Sequence, residues 1–382
     1  MKSKKLSFFY TALTVLGVIY FLSLVILTYA IMSNYNSIGN AVKAFVLIKW
    51  QYLYSEDVTI EQLIEGSVEG MVDSLNDPYS TYLSPEMLEQ LNEQIQGSFG
   101  GLGIFVESKD GYVKVVRLIE GTPAFEAGLK AGDLITHIDG EYVKGMSLDL
   151  AVKRLRGHVG TSVQLTVMRP EEDKVFEVEI TREQISVPTV DGEIIEDSSI
   201  GYIAIIKFSA NTPKELRETL NDLIQQGAKG LILDLRNNPG GELLSVVEVA
   251  DEFLSEGVIV HIDHKIGKDQ TFYAEPPAVD IPIVVLQNER TISAAEILAG
   301  SIKDNDRGTL IGTTTFGKAV VQTVFLLGDG AGLKLTTARY LTPDKYDINK
   351  KGIEPDIYLE QPADAEKDVQ LKKAIEVIDS KI

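Results

Sequence analysis

The chain has 382 residues, 36 of them basic and 56 acidic, for a net charge of −20, and it contains no cysteine. At about 150 residues per domain this length predicts two or three domains, and 44% apolar residues with 32 glycines exclude a disordered or collagen-like chain. The acidic balance argues against nucleic acid as a partner. Absent cysteines remove disulfides, thiolate metal clusters, a cysteine nucleophile and a lipidated N-terminal cysteine.

Residues 6–32 carry no charge and are rich in Leu, Val, Ile, Phe and Tyr. A helix of that length runs about 40 Å, enough to cross a bilayer with some tilt. Tyr29-Ala30-Ile31-Met32-Ser33 offers no clear small-x-small cleavage site, so residues 1–35 are expected to be an uncleaved signal anchor rather than a signal peptide. Lys2, Lys4 and Lys5 precede the apolar run, which keeps the N-terminus cytoplasmic and places the rest outside the membrane.

Residues 36–96 read as a helical region. Ile38, Val42, Phe45 and Val46 recur near helical spacing, and Ile60, Leu63, Ile64, Val68, Met71, Val72 and Leu75 form a second stripe. Asn76-Asp77-Pro78-Tyr79-Ser80 breaks it, and Ser84 caps a third helix with Pro85 at its first position. Residues 97–182 change texture, with glycine turns between short β-branched runs at 112–116, 134–138 and 163–168, which predicts a small β-rich module.

From Gly201 onward, strands at 202–206, 230–235, 258–262, 283–286 and 309–312 alternate with helices at 213–226, 242–254 and 293–303. That alternation predicts an α/β core with a partly parallel sheet over 183–362. A strand at 333–340 and a C-terminal helix at 363–378, within a last segment 363–382, complete the expected elements.

His261 and His264 form the one histidine cluster in this region, and on a strand they face opposite sides. They are read as a surface feature of an edge strand, so a hydrolytic base here is expected not to be histidine. Ser293 instead follows a doubly buried strand and opens a helix, next to the free N–H groups and positive end of that helix. Glu296 completes a capping box, and from this segment alone simple capping is the plainer reading.

Two other loops are expected on the same sheet edge, because parallel strands joined by crossover helices share their carboxyl ends. One delivers Phe316-Gly317-Lys318, where Phe316 and Ala319-Val320-Val321 would desolvate Lys318 and favour its neutral, proton-accepting form. Gln322, four residues on, shares its face and can orient the lysine amine. The other is Asn237-Asn238-Pro239-Gly240-Gly241, whose tight turn presents backbone N–H groups suited to an oxyanion hole together with that of Ala294.

Together these segments resemble the C-terminal processing peptidases, or tail-specific proteases, which are serine peptidases with a Ser-Lys dyad. Matching stretches include Asp77-Pro78-Tyr79-Ser80, Gly121-Thr122-Pro123-Ala124 through Gly132-Asp133, Leu233 to Gly241, Ser293-Ala294 with Glu296, Phe316-Gly317-Lys318 with Gln322, and Tyr340-Leu341-Thr342-Pro343 with Gly352-Ile353-Glu354-Pro355-Asp356. The resemblance implies a crotonase-like or ClpP-like core, Ser293 as nucleophile, Lys318 as general base, Gln322 as its orienting residue, and Ala294 with Gly240 or Gly241 as oxyanion donors. It implies no metal or organic cofactor.

By the same resemblance residues 97–182 are a PDZ module. The loop Gly100-Gly101-Leu102-Gly103 would receive a C-terminal carboxylate, Ile104 would start the strand that accepts an apolar peptide, and Leu148, Val152 and Leu155 would form the opposite wall. The family's paired terminal helices imply a possible homodimer. Ala295, Ile292 and Ala319 depart from the family pattern, and Ile292 and Ala319 motivate an alternative reading as a catalytically weak PDZ scaffold that binds protein C-termini.

Overall fold

The computed structural model describes residues 35–382 except 329, 363, 364 and 366. The expected membrane helix at 6–32 lies outside the described residues, and no described helix is long and apolar enough to cross a membrane. The chain divides into two units, Met1–Tyr82 and Leu83–Ile382.

In the first unit, α1 (Tyr35–Gln51) and α2 (Ile60–Asp73) are joined by a short 3-10 turn, Ser55–Asp57. Lys49 Nζ holds that turn by donating to the carbonyls of Ser55 and Val58. Thr59 and Gln62 form a capping box that starts α2. Asp77 closes the break foreseen after α2 by accepting from Tyr79 N–H and Ser80 Oγ. Val42, Val46, Trp50, Leu53, Ile64 and Met71 are exposed, whereas Val72 is buried and Phe45, Leu63 and Val68 are half-buried, so only part of each apolar stripe is exposed.

β1 (Thr81–Leu83) spans the boundary, and α3 (Pro85–Gln96) opens the second unit with Ser84 Oγ accepting from Met87 N–H. The β-rich module follows. Its sheet has the order β3 (Ile104–Lys109), β4 (Tyr112–Leu118), β5 (Leu134–Ile138), β7 (Ser162–Arg169), β8 (Lys174–Thr181), with β6 (Glu141–Tyr142) paired to β5. Short α4 (Pro123–Glu126) and α5 (Leu148–Leu155) complete it. Separately, β2 (Ser98–Gly101) pairs antiparallel with β9 (Glu183–Ser186), tying the start of the module to its end. Arg169 and Asp133 make a buried bidentate ion pair at 2.7 and 2.8 Å.

The α/β core forms as the strand and helix periods predict. Its six-stranded sheet runs β10 (Val190–Ile194), β11 (Ile200–Ile205), β12 (Gly230–Asp234), β15 (Ile283–Gln287), β16 (Gly308–Gly312), β19 (Ile357–Tyr358). Only β10 is antiparallel to its neighbour. Alternate residues of β12 and β15 face two cores, which is why these strands read as continuous apolar runs. Leu231, Leu233, Ile283 and Val285 join the core built with α6 (Thr212–Gln225), α7 (Leu243–Asp251) and α8 (Ala294–Asp304). Ile232, Val284 and Leu286 pack on the other side with Ala374 and Ile378 of α9 (Val369–Asp379).

A second, antiparallel sheet contains β13 (Val258–His264), β14 (Gln270–Tyr273), β17 (Val320–Leu326) and β18 (Gly332–Leu341). This corrects the edge-strand expectation for His261 and His264, because β13 has β14 on one side and β18 on the other. His261 accordingly contacts Thr271 Oγ1 and the Pro343 carbonyl through its two ring nitrogens. The last helix begins at Val369 rather than at residue 363, with the Asp368 carboxylate capping Leu371 N–H.

Candidate active site

Parallel pairing of β12, β15 and β16 brings the three loops that follow them to one sheet edge. Ile292 N–H donates to the Asn238 carbonyl at 2.9 Å, Thr291 Oγ1 to the Leu235 carbonyl at 2.9 Å, and Phe316 N–H to the Thr291 carbonyl at 3.1 Å. The loops after β12 and β16 are thus both stitched to the loop that carries Ser293.

Ser293 is the N-cap of α8 with φ 57° and ψ −114°, a left-handed conformation costly for any residue but glycine. Its N–H donates to Glu296 Oε2 at 2.8 Å, and its carbonyl accepts from Glu296 N–H at 2.8 Å. The capping box expected from the spacing is half made, because Glu296 N–H goes to the Ser293 carbonyl and the Ser293 hydroxyl makes no capping bond; Glu296 is fully buried and reaches further. The same Oε2 accepts from Lys318 N–H at 2.9 Å, and Oε1 accepts from Thr315 Oγ1 and Gly317 N–H, each at 2.6 Å.

Tyr340 closes the opposite side, with its buried hydroxyl 3.1 Å from the Ser293 carbonyl and 2.5 Å from the Lys318 carbonyl. Local sequence signals give Tyr340 and the longer reach of Glu296 no role, since both bonds join segments far apart in the chain. Lys318 is half-buried and Ala319 fully buried, whereas Phe316 is 51% exposed. Ala319 sits in the main core and accepts Tyr340 N–H at 3.0 Å, so its methyl group is accommodated. Gln322 is half-buried, and its Nε2 is buried with no hydrogen-bond partner among the described residues.

The glycine turn lies directly against the serine. A Cβ at Gly240 would fall 3.0 Å from Ser293 Cβ and 3.0 Å from Ala294 N. Gly240 N–H is already committed to Asn238 Oδ1 at 2.8 Å, which removes Gly240 from the pair of expected oxyanion donors. Ala294 occupies the first turn of α8, where backbone N–H groups have no intrahelical acceptor. Neither its N–H nor that of Gly241 donates to another described residue.

In the β module, Leu102 and Leu155 are buried and Ile104 and Leu148 pack against the same core, with Val152 half-buried. Gly100 and Gly101 are not an open loop as expected: they belong to the β2–β9 ribbon, and the Gly100 carbonyl accepts Gly157 N–H. The unpaired stretch is shorter, Leu102-Gly103, whose carbonyls accept Ala124 and Ile119 N–H groups while their own N–H groups donate to no described residue. β3 has β4 on one side only, so its outer edge carries no strand among the described residues.

A mixed parallel sheet with loops converging at one edge, joined to a small β module, defines an α/β enzyme core with an appended β domain. Three family models match it: Peptidase family S41 over residues 199–359, a PDZ domain over 100–180, and the activating protease CtpB N-terminal domain over 29–87. Over 322 residues the chain is 42% identical to the carboxy-terminal processing protease CtpA of Bacillus subtilis, covering 84% of this chain and 68% of that protein. It is 41% identical over 292 residues to the carboxyl-terminal-processing protease of Synechocystis sp., covering 75% and 68%. The solved photosystem II D1 C-terminal processing protease matches with 31% identity and a TM-score of 0.51, over 87% of this chain and 92% of that one. The chain belongs to the C-terminal processing proteases of peptidase family S41: it is a serine protease carrying a PDZ domain.

Proposed function

We propose that this protease is a membrane-anchored endopeptidase that takes exposed apolar C-termini of proteins through its PDZ domain and cleaves them with a Ser293–Lys318 dyad. The observation that carries this reading is the convergence of Ser293 and Lys318 on one Glu296 oxygen beside the open N–H of Ala294.

Ser293 Oγ attacks the scissile carbonyl carbon while neutral Lys318 Nζ takes its proton, and Gln322 orients that amine. Negative charge on the former carbonyl oxygen is met by the N–H groups of Ala294 and Gly241. Collapse of the tetrahedral species breaks the C–N bond, and Lys318 returns the proton to the departing amine. Water, deprotonated by Lys318, then hydrolyses the acyl-enzyme.

At the PDZ domain, the Leu102 and Gly103 N–H groups would bind the substrate carboxylate and β3 would take the peptide as an added strand. Leu148, Val152 and Leu155 would contribute the apolar wall. Residues 6–32 would anchor the protease with its catalytic part outside the cytoplasm, and the exposed apolar residues of α1 and α2, among them Val42, Val46, Trp50, Ile64 and Met71, support pairing into a homodimer. Cleavage of a peptide with an apolar C-terminus tests the reading. The parent is expected to cut it and Ser293→Ala to leave it intact, whereas cleavage by Ser293→Ala at the parental rate would refute the assignment.

A further inference from the structure

We propose that Glu296 is a positioning residue for the dyad, setting the separation of Ser293 and Lys318 through their backbones; this rests on the dyad reading above. An ionised carboxylate has about four acceptor sites, and Glu296 accepts four bonds, from Ser293 N–H, Lys318 N–H, Thr315 Oγ1 and Gly317 N–H. A capping glutamate needs only the first. The other three reach a loop 19 to 22 residues downstream, which capping of α8 does not require.

Because Oε2 is shared, Ser293 and Lys318 cannot move apart without one of their N–H groups losing its buried acceptor. The Tyr340 hydroxyl, with one proton to donate, lies 2.5 Å from the Lys318 carbonyl and 3.1 Å from the Ser293 carbonyl, so it ties down the first and keeps the second close. Together the two side chains hold Ser293 in its left-handed conformation, which persists only where surrounding structure over-determines it. Glutamine has a single acceptor oxygen, so Glu296→Gln leaves at least one of the two donor pairs facing an NH2 group.

The test is steady-state cleavage by the full-length chain, comparing the parent with E296Q, Y340F, S293A and I378V. Ile378 of α9 is buried on the face of the sheet opposite α8, so I378V reports what lost stability alone does to rate. E296Q is expected to lower kcat about 10²-fold with KM within about twofold, a fall far larger than I378V causes. Y340F is expected to lower kcat about tenfold on the same criterion, and decides the matter if E296Q does not fold. Variants that track I378V, with kcat within about threefold of the parent, would overturn the positioning role while leaving the dyad intact. Activity in S293A would instead overturn the dyad itself.

Discussion

Ser293 and Lys318, 25 residues apart in the chain, donate their backbone N–H groups to the same oxygen, Oε2 of Glu296, at 2.8 and 2.9 Å. Ser293 is therefore located by the rest of the site as well as by its helix. Such sites keep reacting atoms within a few tenths of an ångström, and a 1 Å error costs about 10²-fold in rate.

Strain at Ser293 has a measurable signature. Its φ of 57° costs of order 1–3 kcal/mol in a residue with a Cβ, part of which glycine gives back through unfolded-state entropy. Ser293→Gly is expected to be inactive yet about 1 kcal/mol more stable than the equally inactive Ser293→Ala. Thermal melts of the two variants decide it, and equal midpoints would mean that the turn is unstrained.

Gly240→Ala should separate the Gly240-Gly241 turn from Ser293. The new Cβ would lie 2.6 Å from the Ile292 carbonyl oxygen, at a backbone φ of 91° that alanine resists. A kcat about 10²-fold below the parent is expected, with PDZ peptide binding unchanged. A parental kcat would show that the two loops need not touch.

The PDZ assignment turns on Leu102-Gly103. Gly103 has φ 79°, and a Cβ there would collide with the buried Thr122 side chain, whose hydroxyl bonds the Ile119 carbonyl at 2.6 Å. Gly103→Ala is expected to weaken binding of a fluorescent peptide with an apolar C-terminus by at least about tenfold, about 1.4 kcal/mol. Anisotropy titration gives the value, and an unchanged Kd would move the carboxylate site elsewhere.

Acid sensitivity should be concentrated at the start of α9. Arg236 pairs with Asp368 at 2.8 Å and also bonds Asp234 and Gln370. Burial alone would raise the Asp368 carboxyl, but its bonds to Arg236 and to Leu371 N–H hold it below the ordinary 3.8. A depressed carboxylate stabilises the fold above its unfolded value and loses that contribution as pH falls through the folded one. Asp368→Asn should therefore melt lower than the parent at pH 7, by less than about 1 kcal/mol because the pair is partly solvated. The difference should close below about pH 4; melts across pH that keep a constant gap would contradict this.

Much of the site was legible because its signals are local. β15 reads as a strand from its unbroken apolar run, and the helix opened by Ser293 follows at once. Parallel crossover then forces Lys318 and the Asn237–Gly241 turn to the same edge. What escaped depends on contacts between distant segments. The spacing of Ser293 and Glu296 foretells a cap but not the three further donors on Glu296. Asn238 takes the Gly240 N–H by folding its own side chain back, which leaves no trace in composition. β13 is interior because β18 is long enough to pair with both β17 and β13. Gly100 and Gly101 are occupied because β9, more than 80 residues later, pairs with them; no local pattern carries that information.

The central claim is a serine nucleophile activated by a lysine, and intact-mass detection of a fluorophosphonate adduct on the full-length chain tests it most directly. One adduct is expected on the parent and none on Ser293→Ala or Lys318→Ala. An adduct that persists in Ser293→Ala, or forms at the parental rate in Lys318→Ala, would contradict the account.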